Sequence, residues 1–592
     1  MKSNYTLISL LVGLFLFASC KPAAIDHDKF LTDYEKSGFT RTPRYAETVE
    51  YSKLLADNSK MINYKTIGLS PQGREISLLI VDKDGLTSAE AIRKRGRAVV
   101  LAEANIHAGE PDGKDAGFMF IRDMVYYDKF PGMLDNVSLL FIPIINVDGH
   151  EDFGEHYRIN QNGPVEVGAR FTAQRYNMNR DFIKADALET QLLLSLYSEW
   201  MPELFIDIHV TNGADFQYMS TYGLDMCGFL PPNMLDWSMN IFEKELKERM
   251  AGDGFPIFPY FSMRNMPDKG VVIFPSSFAP QYSNGYACAN NRIGLLIENH
   301  IYKPYKDRVD ATYLYLKNSM EIVGERHKEL IEQIRIADNL VSSKEFRRDS
   351  LSLDYIPDMR VLENVEYLAW EQQEQVSDLS GAKWTTYNYD APITEHYLMN
   401  ISYTGAMNVL LPEAYIVPSE QIETISLLDI HGVNYSRLEK DEIFDVVSYH
   451  FTDSEWSRFP YEGRSTVQTK YNEVKERLDF HRGDVYVSMA QPKAKIIAHL
   501  LEPKSPTSLV YWGFYNNFVR APSEFYIRLN YMEFKGREMM EKDPALKAEF
   551  EKKLKEDKAF AADPNARLNF FMTLVREQVG LGVNRYPVAK IY

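Results

Sequence analysis

The chain has 592 residues, 45% of them hydrophobic and 25% charged. These are globular proportions that exclude bulk disorder, and the length exceeds what one ordinary core fills. A formal net charge of −17, with no basic block to offset it, excludes nucleic acid as the expected partner.

Residues 1–19 read as a signal peptide rather than as fold. Lys2 gives a positive start, and Leu7 to Phe17 is apolar apart from Ser9 but too short to span a membrane as a mature helix. Phe17-Ala18-Ser19-Cys20 sets small residues directly before a cysteine. That pattern resembles a bacterial lipobox, cut before Cys20 and lipidated there; a plain secretory signal is the alternative. Either way the protein is expected to be exported, periplasmic or on the cell surface, with membrane attachment through Cys20 in the first case. Cys227 and Cys288 leave open one disulfide or two buried thiols.

Ala98 to Ile106 is apolar and β-branched and predicts a buried strand, with His107 to Glu110 just after it. A helix is expected over Lys114 to Tyr127. A second strand is expected over Val137 to Ile145, ending at the turn-like Asn146-Val147-Asp148-Gly149. Ala185 to Trp200 reads as a helix stopped by Pro202. Leu204 to Ile208 and Gly294 to Ile297 read as two more strands, with His209 and Glu298 at their ends. Strands alternating with helices predict an α/β fold, a mixed sheet flanked by helices. Arg308 to Ile336 is helical in pattern, and 336–350 is polar enough for a linker. The remainder, 351–592, reads as a separate α+β accessory domain. It has short aromatic-rich strands over Tyr367 to Tyr415 and a charged helical region over Lys535 to Pro564.

His107 and Glu110 stand three apart, with His209 about a hundred residues on. Two imidazoles and a carboxylate are a donor set that zinc accepts with one position left for water. All three sit at strand ends, as does Glu298, and that is where open α/β sheets place their sites. A second His-x-x-Glu, His499 to Glu502, lies in an apolar stretch before Pro503 and reads as an ordinary helix end or strand.

Five stretches resemble the zinc carboxypeptidases of the M14 type: His107-Ala-Gly-Glu110, Asn146-Val-Asp-Gly149, Asn177-Met-Asn179-Arg180, Asp207-Ile-His209 and Leu296-Ile-Glu298. Gly68 to Glu75 is similar to the family's opening segment, and the resemblance covers roughly 45 to 325 within a catalytic domain expected at 40–335. It implies one zinc ion per chain on His107, Glu110 and His209. Glu298 would be the general base, and Asn179 with Arg180 would hold a substrate's terminal carboxylate. Arg180 could otherwise pair with Asp181, and Glu298 with Arg292. Asp207 is a candidate acceptor for an imidazole N–H. Val147 stands where the family has Pro. Gln161 stands where an oxyanion-stabilising Arg is expected, with Arg158 three residues earlier as the candidate replacement. Tyr282 and Tyr286 are the candidates for the family's active-site tyrosine.

The expected activity is metallocarboxypeptidase hydrolysis of peptide or protein C-termini. Two alternatives stay open: a carboxypeptidase or amidase of peptidoglycan stem peptides, and a catalytically degenerate peptide-binding lipoprotein. The sequence sets no oligomeric state.

Overall fold

The computed structural model describes residues 27–276, 278–520, 528–578 and 584–592. The expected signal peptide and Cys20 lie outside the described residues. The principal strands of the first half, in chain order, are β1 Ile62–Leu69, β2 Glu75–Val81, β3 Ala98–Ala104, β4 Val137–Ile142, β5 Leu204–Val210, β6 Ser220–Gly223, β7 Ile257–Pro259, β8 Phe261–Met266, β9 Gly270–Pro275 and β10 Ile293–Asn299. Eight of them form one mixed sheet in the order β1-β2-β4-β3-β5-β10-β6-β7. The four central strands β4, β3, β5 and β10 are parallel. Every residue of β3, β4 and β5 is buried, as near-continuous apolar runs in a sheet covered on both faces require.

Five helices cover this sheet: α1 Tyr45–Asp57, α2 Asp112–Val125, α3 Leu188–Trp200, α4 Ser283–Ala289 and α5 Tyr305–Ser342. Alternate side chains of the strands feed two cores. Val100, Ala102, Ile206 and Ile208 pack with α1, α2 and α5 in one core. Val99, Leu101 and Phe205 pack with α3 and α4 in the other.

The expected linker at 336–350 is not one. α5 is a single helix of 38 residues, about 57 Å long at 1.5 Å per residue, and a further helix covers Lys344–Arg348. Its last turns look polar, but Ala337 enters one core and Val341 the other, so the helix is pinned from both sides.

The second half is α+β in content. Its principal strands are β11 Leu362–Val376, β12 Lys383–Asn400, β13 Ala414–Val417, β14 Ser436–Arg437, β15 Glu442–Trp456, β16 Val467–Phe480, β17 Val485–Ser488 and β18 Ala589–Ile591. The short strands expected over 367–415 are instead dominated by the β11–β12 hairpin, with strands of 15 and 18 residues. β12 runs parallel to β9, giving a four-stranded sheet β8-β9-β12-β11 that crosses between the halves. A six-stranded sheet has the order β14-β17-β13-β18-β15-β16. Helices α6 Ile422–Ile430 and α7 Ala494–Leu501 pack against the first half. Four helices, α8 Met532–Lys542, α9 Pro544–Glu556, α10 Lys558–Ala562 and α11 Pro564–Gln578, occupy the charged region.

The independence expected for 351–592 is also overturned. Leu193, Tyr197 and Phe205 share one apolar cluster with Leu428, Val487, Leu500 and Tyr586. Among the described residues no helix is long and apolar enough to cross a membrane.

Candidate metal centre and active site

β3 and β5 are neighbours in the sheet, so the segments leaving their ends meet. Asn105, at φ 60°, turns the chain out of β3 into the His107–Glu110 loop. His209 ends β5 one residue before the last. His107 Nδ1 lies 3.1 Å from His209 Nδ1, which lies 3.0 Å from Glu110 Oε2; Glu110 Oε1 is 3.3 Å from His107 Nδ1. One donor atom from each of the three residues falls within 4.8 Å of the others, and all three side chains are buried.

The outer nitrogens are committed elsewhere. His107 Nε2 faces Asn177 Oδ1 at 3.0 Å, and His209 Nε2 faces Asp207 Oδ2 at 2.7 Å. Each imidazole therefore keeps its Nε2 proton for an oxygen and turns Nδ1 inward. Burial pushes the His107 imidazole down to about 4. Burial also works against charge on His209, yet Asp207 and then Glu110 hold it well above the ordinary histidine range. Burial opposes ionisation of Glu110, but Arg158 and then His107 keep it well below the usual carboxylate range. The pocket thus favours positive charge at its centre, and two Nδ1 atoms with one carboxylate fit a zinc ion that would displace the His209 proton.

Behind these donors lies a set of supports. Asp207 also accepts from Ser283 Oγ, while the Ser283 backbone N–H donates to Asn179 Oδ1 at 3.1 Å. The Asn179 amide nitrogen is 3.1 Å from His209 Nε2. Glu103, opposite Asp207 on β3, is pushed well above the carboxylate range by burial and then by Asp207, so a neutral carboxyl underlies an ionised one. Glu110 Oε2 accepts the Val210 N–H at 2.9 Å.

Arg158 donates to Glu110 Oε1 at 2.8 Å, to the Val210 and Thr211 carbonyls at 3.1 Å each, and to Gln161 Oε1 at 3.2 Å. It is a fully engaged clamp on Glu110. Gln161 is turned the same way, donating its amide to the Gly109 carbonyl at 3.2 Å. The clamp requires a glycine at 109, where a Cβ would come within 2.8 Å of Arg158 Cγ and 2.9 Å of the Gly168 carbonyl. Sequence reasoning missed a second cation, Arg170, whose Nη1 is 3.5 Å from Glu110 Oε1 and whose side chain is 32% exposed. That single long contact leaves it available, unlike Arg158.

Glu298 lies opposite His209 in the parallel β5–β10 pairing, so both side chains leave the same face of the sheet. Burial pushes its carboxyl up to about 7. It does not pair with Arg292, which forms a two-pronged bridge to Asp338 at 2.9 and 3.0 Å. Arg180 is not paired with Asp181 either, because Asp181 is taken by Lys184 and the backbone N–H groups of Asp186 and Ala187. The Arg180 guanidinium lies 4.4 Å from the centre of the Tyr282 ring. Tyr282 thus stands beside Arg180, but Tyr286 does not. Tyr286 is wholly buried with its hydroxyl 2.9 Å from His431 Nδ1, so its candidacy is withdrawn. The structure adds Tyr260, whose phenol is held up first by the Glu298 carboxylate, then by burial and by Glu110. No local pattern marks Tyr260, which follows the edge strand β7.

The remaining motifs serve the frame. Asp148 accepts from Ser70 Oγ, the Gln72 N–H and Arg74, tying the turn at 146–149 to the Gly68–Glu75 segment. His300 bonds to Asp215 at 3.1 Å, and His499 lies within reach of Ser505 and Thr507 in a helix end. Cys227 and Cys288 are buried without a disulfide.

The family model for zinc carboxypeptidase, peptidase M14, matches residues 48–210, a span that holds His107, Glu110 and His209 but not Glu298. Carboxypeptidase 2 of Trichophyton equinum is 20% identical over 506 residues, covering 80% of this chain and 84% of that protein. Carboxypeptidase 2 of Trichophyton rubrum is 21% identical over 500 residues, with 80% and 84% covered. Among solved structures, carboxypeptidase A from Helicoverpa armigera aligns at a TM-score of 0.38 and 15% identity, over 49% of this chain and 75% of that one. Family match, relatives and donor geometry agree: residues 48–210 match the M14 zinc carboxypeptidase model, and over four-fifths of its length the chain is similar to proteins named as carboxypeptidases.

Proposed function

We propose that the protein is a zinc-dependent carboxypeptidase that removes the C-terminal residue of peptides with the side chains assembled around His107, Glu110 and His209. The observation that carries this reading is the donor set itself, with Glu298 paired opposite His209 in the sheet; the contact of Asn179, the neighbour of Arg180, with His209 supports it. When bound, zinc supplies a lowered pKa for water and polarisation of the scissile carbonyl. Asp207 and Asn177 hold the two imidazoles with Nδ1 inward, and Arg158 fixes Glu110. Glu298, at about 7, takes the proton of the attacking water on its carboxylate and gives it to the leaving amine nitrogen. Arg180 receives the substrate's terminal carboxylate in two parallel hydrogen bonds, which favours an exopeptidase over an endopeptidase. Arg170 supplies the cationic donor for the developing oxyanion that Gln161 lacks. Lys2 to Cys20 support export, with lipid attachment at Cys20; labelled fatty acid that enters the wild type and not Cys20→Ser checks this.

The test is release of free amino acid from blocked dipeptides with free or amidated C-termini, using zinc-loaded protein beside Glu298→Gln. A loss of ~10²-fold or more in the variant, with only free C-termini cleaved, is expected. Cleavage that ignores the C-terminus would remove Arg180 from its role. Zinc binding without turnover on any substrate would favour a binding-only protein.

A further inference from the structure

The β15–β16 hairpin ends in residues 457–466, and its tip reaches the candidate active site. Tyr461 and Arg464 close the tip by mutual backbone hydrogen bonds of 2.9 and 3.0 Å. Glu462 at φ 48° and Gly463 at φ 81° fill the two central positions. A turn with both central residues at positive φ takes Asn-Gly or Asp-Gly by preference, because the Cβ of a longer side chain crowds the following carbonyl there. A glutamate in the first position is therefore conformationally costly, and strain of this kind gathers at functional sites.

The tip is held firmly. Arg464 grips Asp186 through Nε and Nη2, with contacts of 2.5 to 3.1 Å, and its guanidinium lies 3.7 Å from the centre of the Phe514 ring. The Tyr461 ring stacks on Trp512 at 5.8 Å and 10°. So anchored, Glu462 Oε1 comes to 3.5 Å from Asn177 Nδ2, on the amide that orients His107. The Tyr461 phenol shares the field of Tyr282 and Arg180. The hairpin tip therefore forms a wall against Asn177, three residues before Arg180. Among the described residues the Glu462 carboxylate has the Asn177 contact and no ion pair.

We propose that Glu462 is a specificity-determining residue that receives a cationic nitrogen of the substrate beside the carboxylate anchor. This rests on the carboxypeptidase reading above. The chemistry is an ammonium or guanidinium group, and a peptide offers it from two sources: a terminal Lys or Arg side chain, or the free α-amine of a short peptide. A carboxylate fixed on a strained turn, without a cation of its own, gains a charge-assisted hydrogen bond when such a group arrives.

The test compares wild-type and Glu462→Gln proteins on blocked dipeptides ending in Lys, Arg or Phe, and on the unblocked dipeptide ending in Phe. Zinc content and melting temperature are measured alongside. The expected result is a loss of ~10-fold or more in kcat/KM on cationic substrates relative to blocked Phe, with zinc content unchanged. Loss confined to the blocked Lys and Arg substrates assigns the side chain as the source; loss confined to the unblocked dipeptide assigns the α-amine. An unchanged ratio across all four substrates, with blocked Phe still cleaved, overturns the proposal and leaves the carboxypeptidase reading intact. Absence of turnover by zinc-loaded wild type defeats that reading and this proposal together.

Discussion

The metal-donor pocket and the hairpin-built wall facing it hold their residues in place by different means. The donors leave strands whose every side chain is buried, and hydrogen bonds fix their outer nitrogens. The wall comes from β15 and β16, long strands with largely exposed faces, and is held at its tip by a few contacts around Arg464 and Tyr461. A pocket that must keep metal geometry within tenths of an ångström belongs on rigid elements, whereas a surface that selects substrates can sit on a tethered loop.

That contrast breaks most sharply at the donors. His209→Ala should abolish stoichiometric zinc in metal analysis and bring turnover below detection, while a hairpin variant keeps its zinc. Next, Asp207→Asn should weaken zinc affinity ~10–100-fold in chelator competition, because the His209 N–H loses its anionic acceptor. On the wall, Arg464→Ala should raise KM ~3- to 10-fold with kcat and zinc content nearly constant, as the tip loses its bridge to Asp186. A large drop in kcat would place the tip in the chemistry instead.

A last effect, on stability rather than turnover, concerns the seam between the halves. Lys493 is buried against Asn290, and burial pushes its ammonium down to about 7 from an ordinary 10.5. The unfolded chain then binds the extra proton between pH 7 and 10, so this lysine costs stability at pH 7 and the cost fades as pH rises. Lys493→Met should flatten the rise of stability across that window by up to ~1.4 kcal/mol per pH unit, read from urea midpoints at pH 7, 8 and 9.

The donor set was legible because it lies at the ends of apolar runs that announce buried strands. Glu298 was legible for the same reason. Tyr260, Arg170 and Glu462 were not, since each reaches the site through tertiary approach; Glu462 meets a residue 285 positions away. Tyr286 misled because its turn-like neighbours form a helix that carries it into the core. The polar stretch after Ile336 misled because two small apolar residues, Ala337 and Val341, suffice to bury a helix edge. Gln161 looked like a missing charge, and the structure gives it another task beside Arg158 while Arg170 stands open.

The position of β18 has a consequence for how the protein is made. This strand lies between β13 and β15, so the six-stranded sheet is closed by residues synthesised about 100 positions after β17. At ~5–20 residues per second, a ribosome leaves that sheet divided for roughly 5 to 20 seconds, with unpaired strand edges open to mispairing. Any partner that shields nascent strands would act in that interval.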